Sequence, residues 1–86
     1  MTPMIESDEI IHRGYVWTRG VNRWEMTDRG DLWCLEIDRG YAYEHWKIIY
    51  IPIVGGIVTL ESHAPLRAAM DAVANRLTRL YQGHGM

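Results

Sequence analysis

A chain of 86 residues has room for one small core and not for two, so it reads as a single domain. Its apolar fraction of 48% and charged fraction of 23% are those of an ordinary globule, and its longest apolar run, at 48–60, is broken by Pro52 and Gly55-Gly56 well short of the ~18 residues a membrane helix needs. A net charge of -2 argues against a surface built to neutralise the many phosphates of duplex nucleic acid.

The opening residues, MTPMIESDEI, are acidic and lack the basic-then-apolar order of a secretion signal, which makes a cytoplasmic protein the expectation. Residues 1–9 carry few turn or strand signals and are expected to form a loose arm before a domain spanning 10–83, although SDEIIHR can also begin an edge strand or a helical turn. Beyond this point the chain keeps a beat. Arg-Gly stands at 19–20, 29–30 and 39–40, preceded by Asp in the last two cases. Gly tolerates positive φ and Asp bonds its own backbone, so each pair reads as the turn of a hairpin, expected to be three residues long with Gly in the left-handed position. Turns this regular between short apolar runs mark an antiparallel meander.

Between the turns lie five expected strands. Residues 12–18 place Tyr15 and Trp17 on one face and Val16 on the other; 23–27 place Trp24 and Met26 against Arg23, Glu25 and Thr27. Residues 31–38 put Trp33, Leu35 and Ile37 on one face, with Leu32 and Cys34 beside Glu36 and Asp38 on the other. Residues 43–54 set Trp46, Ile48 and Tyr50 against Lys47, Ile49 and Ile51, and Gly55-Gly56 reads as a two-residue hairpin into 57–61. The period then changes. Pro65 suits the first turn of a helix, Ser62 or His63 can cap it, and Leu66, Ala69, Met70, Val73, Leu77, Leu80 and Tyr81 recur at spacings of three and four until Gly83, leaving a frayed tail at 84–86. Arg67 and Asp71 fall four apart on its polar face and suit a weak pair.

The expected fold is therefore α+β: a four- to five-stranded antiparallel meander with one C-terminal helix packed on one face. A helix of about 19 residues is about 28 Å long and covers one face of such a sheet, not both. The other face carries Leu32, Cys34, Ile49 and Ile51, and an apolar patch of this kind marks a partner surface, a second copy of the chain being the simplest occupant. The alternative is that the N-terminal arm, or strong sheet twist, shields this face within one chain. Eight of the nine basic residues are arginine, which reflects either a GC-rich genome or, with four Trp and five Tyr, enrichment in residue types favoured at interfaces.

Alternating turns place Arg19 and Arg39 at the end of the sheet where the helix starts, with His63 and Tyr41 nearby, a set able to hold a phosphate or carboxylate; Arg29 falls at the other end. Other motifs carry less. Arg29-Gly30-Asp31 spells an adhesion tripeptide, but three-residue matches are common by chance. Glu61-Ser62-His63 has the letters of a catalytic set, yet adjacent residues of a strand and cap rarely converge. His12, His45, His63 and His84 show no metal spacing, one cysteine makes neither a disulfide nor a zinc site, and no glycine loop precedes a lysine to cradle phosphate, so neither metal nor cofactor is expected. The reading that results is a small non-enzymatic protein-binding module, self-associating through its sheet face, of a size and composition that suit an inhibitor or adaptor such as those phages and mobile elements carry against host defence. The alternative is a binder of single-stranded nucleic acid or nucleotides, with bases stacked on Trp and Tyr beside Arg.

Overall fold

The computed structural model describes residues 8–84. Six strands, β1 (Glu9–His12), β2 (Tyr15–Gly20), β3 (Arg23–Asp28), β4 (Asp31–Ile37), β5 (Trp46–Ile51) and β6 (Val58–His63), precede one helix, α1 (Leu66–His84). The strands form one sheet in the order β1-β2-β3-β4-β5-β6, with every neighbouring pair antiparallel. The architecture is the expected α+β meander with a C-terminal helix on one face, built from six strands rather than four or five.

The extra strand comes from a fourth Arg-Gly pair. Arg13 and Gly14 both adopt positive φ, 53° and 83°, and close a two-residue hairpin between His12 and Tyr15, splitting the run expected as one strand. Arg29 and Gly30 do the same at 54° and 89° between Asp28 and Asp31. Positive φ at both central positions is the type I′ geometry, whose twist matches that of the flanking strands, so these loops are two residues long and not three. The other two pairs serve otherwise. Gly20 ends β2 opposite Arg23, and the turn falls on Val21-Asn22 with Asn22 at positive φ. Arg39-Gly40 lies in the longer 38–45 loop, where the Gly40 N–H donates to the Asp38 carboxylate at 3.0 Å. Of the expected N-terminal arm, residues 1–7 lie outside the described residues, and Glu9 opens β1.

Two further boundaries move for stated reasons. The fourth expected strand starts at Trp46 and not at Tyr43, because residues 43–45 belong to the loop, where His45 stacks on Tyr41 at 4.0 Å and its carbonyl accepts from the Asp38 N–H. It stops at Ile51, because Pro52 has no N–H for the ladder; the β5–β6 connection is consequently the six-residue loop 52–57 and not a tight Gly-Gly hairpin. The ladder between β5 and β6 slips by one residue: Lys47 faces Ser62 but Ile49 faces Thr59. That bulge brings both Leu60, which packs on the core, and Glu61, which pairs with Arg76, to the helix side.

The core lies between α1 and one sheet face. Trp17, Trp24, Met26, Trp33, Leu35 and Ile48 from β2 to β5 meet Ala69, Met70, Val73 and Leu77 from the helix. The strand alternation and the helical spacing read from the sequence thus converge on one layer. The last helical turn departs from that spacing, because Leu80 is half exposed while Tyr81 packs. The helix is also held at both edges of the sheet. From β1, His12 bonds Asp71 through Nε2 at 2.7 Å and Arg67 through Nδ1 at 3.1 Å; Arg67 can only donate, so Nδ1 accepts and Nε2 carries the proton that reaches Asp71. Arg13 adds bonds to Asp71 and Asn75. From β6, Glu61 takes a bond from Arg76 at 2.9 Å. Asp71 therefore serves the sheet edge, in place of the Arg67 pair along the helix. At the C-terminal end the Tyr81 hydroxyl donates to Asp28 and its ring lies under the Arg29 guanidinium at 4.0 Å. The sheet edges discourage strand addition, since β1 has four residues and β6 is bulged.

Leu35 and Ile48 face each other across β4 and β5 with no exposed surface. Leu35→Ala is expected to cost about 2–5 kcal/mol, the range for a cavity in a packed core, read from the urea midpoint at constant slope.

Candidate functional site

Two surfaces carry the residues singled out in the sequence: the sheet face away from the helix, and a basin at one end of the sheet. The face is built by alternation. Every residue that points into the core leaves its neighbours on the other side, and no helix among the described residues covers them. The ladders sort these neighbours into three rows. Towards the β1–β2 and β3–β4 turns, Ile11 faces Val16 and Thr27 faces Leu32, which faces Ile51; the register that pairs Thr18 with Glu25 sets Val16 beside Thr27 and completes the row. A middle row runs through Thr18, Glu25, Cys34, Ile49 and Thr59. The third row, Arg23, Glu36, Lys47 and Ser62, is polar.

Leu32, Ile49 and Ile51 are half-buried in this face, whereas Cys34, opposite Glu25 and Ile49, is fully buried. Burial pushes the Cys34 thiol up from its ordinary value, with Arg23 acting in the other direction, so the cysteine is a packing group under the surface. Arg23 lies beside it, bonded to Glu25 at 2.6 Å and paired with Glu36 at 3.7 Å. Sequence reasoning missed the outer half of the apolar row. Ile11 is 67% and Val16 45% exposed. Their signal was the Arg13-Gly14 turn, which puts both on the same face once it is read as a hairpin. The N-terminal arm, named as the intramolecular cover for this face, lies outside the described residues up to residue 7.

At the end of the sheet where β2 meets β3 and β4 leaves for β5, a basin of about 620 Å³ opens between the two connections. Its charged walls are Arg19, Arg23, Arg39 and Glu36, and its apolar walls include Trp24 and Trp46. Arg19 lies over the Trp24 ring at 5.3 Å, and Arg39 has no bonded partner among the described residues. Arg19 and Arg39 therefore come together as the turn parity requires. Tyr41 and His63 do not line this basin: Tyr41 stacks on His45 in the adjoining loop, and His63, opposite Trp46 at the end of β6, faces Glu61 at 3.4 Å.

Three buried side-chain donors find no acceptor within the described chain: Trp33 Nε1, Trp46 Nε1 and Arg76 Nε. Such a group costs about 1–3 kcal/mol if it stays unpaired, and each calls for a physical reason. Trp46 lines the basin just described; Trp33 and Arg76 line a second cleft under the helix. Among the described residues no group of three or more His, Cys, Asp or Glu side chains is placed to hold a metal ion, and no helix is long and apolar enough to cross a membrane.

Carboxylates hold the frame around these surfaces. Asp31 accepts from the Ile53 backbone N–H and from the Tyr50 hydroxyl, Asp38 from Ser62 and Gly40, and Asp71 first from His12; each is held below the ordinary carboxylate value by those bonds. Glu61 is lowered furthest, to about 2, first by its own backbone N–H and then by Arg76 and His63. A lowered carboxyl stabilises the fold above its unfolded value and loses that contribution as pH falls towards the folded one. Glu61 is 44% exposed, so solvent screening keeps its share modest. Between about pH 5 and about pH 2, the melting temperature of Glu61→Gln is expected to fall less steeply than that of the parent, and parallel curves would remove Glu61 from the acid response.

Comparison with known proteins finds no family model, no curated protein and no solved structure that matches this chain.

Proposed function

We propose that the protein acts by binding rather than by catalysis, and that the uncovered sheet face takes a protein, in the first instance a second copy of the chain. The observation that carries this reading is the row Ile11, Val16, Thr27, Leu32 and Ile51, which crosses five strands on a face with no helix. Contiguous apolar surface bordered by charge is the mark of a docking surface. A twofold interface must complement itself, and this face does so in two ways. The apolar row can meet its own copy, and the charged positions, Arg23 and Lys47 against Glu25 and Glu36, are balanced in sign and so favour rather than forbid the pairing. Two such faces stack about 10 Å apart in the manner of a sandwich, with side chains interdigitating. The short and bulged edge strands favour the face over the edge. A dimer of this form leaves the helix surface free for another partner, which is the geometry an inhibitor or adaptor needs.

A second reading rests on the basin. Three arginines and two tryptophans around one opening supply charge for a phosphate and rings for a base, the combination used to hold nucleotides or single-stranded nucleic acid. The net charge of -2 does not oppose a local site of this size.

Light scattering on the purified protein is expected to give about twice the 10.0 kDa of one chain. Val16→Glu, at a position 45% exposed, is expected to return it to one chain with its circular dichroism unchanged; a parent that is monomeric at high micromolar concentration sinks the dimer. Titration with a short single-stranded oligonucleotide tests the second reading. Tryptophan quenching that weakens with salt and with Arg39→Ala supports it, and a flat response removes it.

A further inference from the structure

A second cleft, distinct from the face and the basin, lies between the C-terminal half of α1 and strands β4 to β6. It measures about 440 Å³ and is lined by Trp33, Tyr50, Leu60, Arg76, Arg79 and Leu80. This is within the usual size range of small-molecule sites, which combine an apolar wall with a few placed polar groups. The floor is aromatic: the Trp33 and Tyr50 rings lie 4.4 Å apart at 33°. Leu60 and Leu80 supply aliphatic walls, and Leu80 keeps half of its surface exposed.

Three polar groups of the cleft, on Arg79, Arg76 and Trp33, have donor capacity to spare. Arg79 makes no hydrogen bond or ion pair among the described residues. Arg76 gives Nη2 to Glu61, but its Nε finds no acceptor. Trp33, 3% exposed, has a buried indole N–H that also finds none. Tyr50 already donates its hydroxyl to Asp31, and no lining side chain is a carboxylate. Apolar surface beside two guanidinium groups, one of them unpaired and the other shared with Glu61, selects an anion attached to a ring.

We propose that this cleft binds a small aromatic carboxylate, with its ring against Tyr50, Leu60 and Leu80 beside the buried Trp33 and its carboxylate held by Arg79 with help from Arg76. The guanidinium fork matches a carboxylate in two parallel bonds, and the ring replaces water on the surface that Tyr50, Leu60 and Leu80 leave exposed. Arg79 sets the charge preference, and Leu80 closes the outer wall. The site is independent of dimer formation through the opposite face, because the helix side of the sheet remains open in either state.

The test uses the full chain and 2-naphthoate as the probe, with 2-naphthamide as its uncharged counterpart. The four tryptophans give four indole N–H signals in a nitrogen-15 correlation spectrum, assigned by single Trp→Phe variants. Naphthoate is expected to move the Trp33 signal saturably, the amide to bind about tenfold more weakly or worse, and Arg79→Gln, whose side chain holds no internal bond, to weaken naphthoate about tenfold while leaving the melting temperature unchanged. The proposal is overturned if Trp33 shows no saturable shift at millimolar probe. It is equally overturned if acid and amide bind alike, or if the shifts centre on Trp24 and Trp46 in the basin. Should Arg79→Gln prove unstable, the acid-against-amide comparison on the parent chain decides alone.

Discussion

A single helix has one apolar stripe, and here it must cover a sheet of six strands that has apolar side chains on both sides. The stripe of Ala69, Met70, Val73 and Leu77 is narrow and built partly of small residues, which lets the helix sit close over Trp17, Trp33, Leu35 and Ile48. Its length of about 28 Å is close to the width of the sheet, about 24 Å for six strands at their usual spacing. That near match explains how one element can be gripped at both edges of the sheet, through His12 on β1 with Arg13 in the turn after it, and through Glu61 on β6. It also fixes what is left over. The helix has nothing to offer the second face, and it does not seal its own face at the C-terminal end, where Leu80 stands half exposed above Trp33 and Tyr50.

The polar contacts divide accordingly. Those that hold the frame are self-contained: Asp71 with His12, Asp31 with Tyr50 and Ile53, Asp28 with Tyr81. Most are partly exposed, so their value lies more in fixing the helix angle and the turns than in net stability. Two arginines without a bonded partner among the described residues lie in openings, Arg39 in the basin and Arg79 in the cleft, with a buried tryptophan N–H donor beside each. Both of these charges therefore lie where rings also lie. The apolar face and the cleft lie on opposite sides of one sheet.

The meander, the face alternation and the helix were legible in the sequence because period-2 and period-3.6 patterns report which side of an element is buried. Trp24 and Met26, Trp33 and Leu35, and Met70, Val73 and Leu77 all fall where those patterns put them. Turn parity was equally legible, and it brings Arg19 and Arg39 to the same basin. Which of the repeated Arg-Gly pairs turn the chain was not legible, because the same dipeptide is at home in a type I′ turn at 13–14 and 29–30 and at the end of a strand at 19–20.

By itself, then, the sequence determined the class of fold, the residues of its core and the existence of an apolar face that the helix does not cover, since each follows from local periodicity and from counting elements. Only the tertiary structure decided the register that aligns Ile11 and Val16 with Leu32 and Ile51, the burial of Cys34 beneath that face, the turning of Asp71 to His12, and the meeting of Arg79 with Trp33 and Tyr50. The alignment of Ile11 with Val16 follows from the two-residue turn at 13–14, whereas the contacts of the helix depend on the slip at Leu60 and Glu61 and on how it lies across the strands. The slip and the lie of the helix are set by packing between residues far apart in the chain, and no local pattern encodes them.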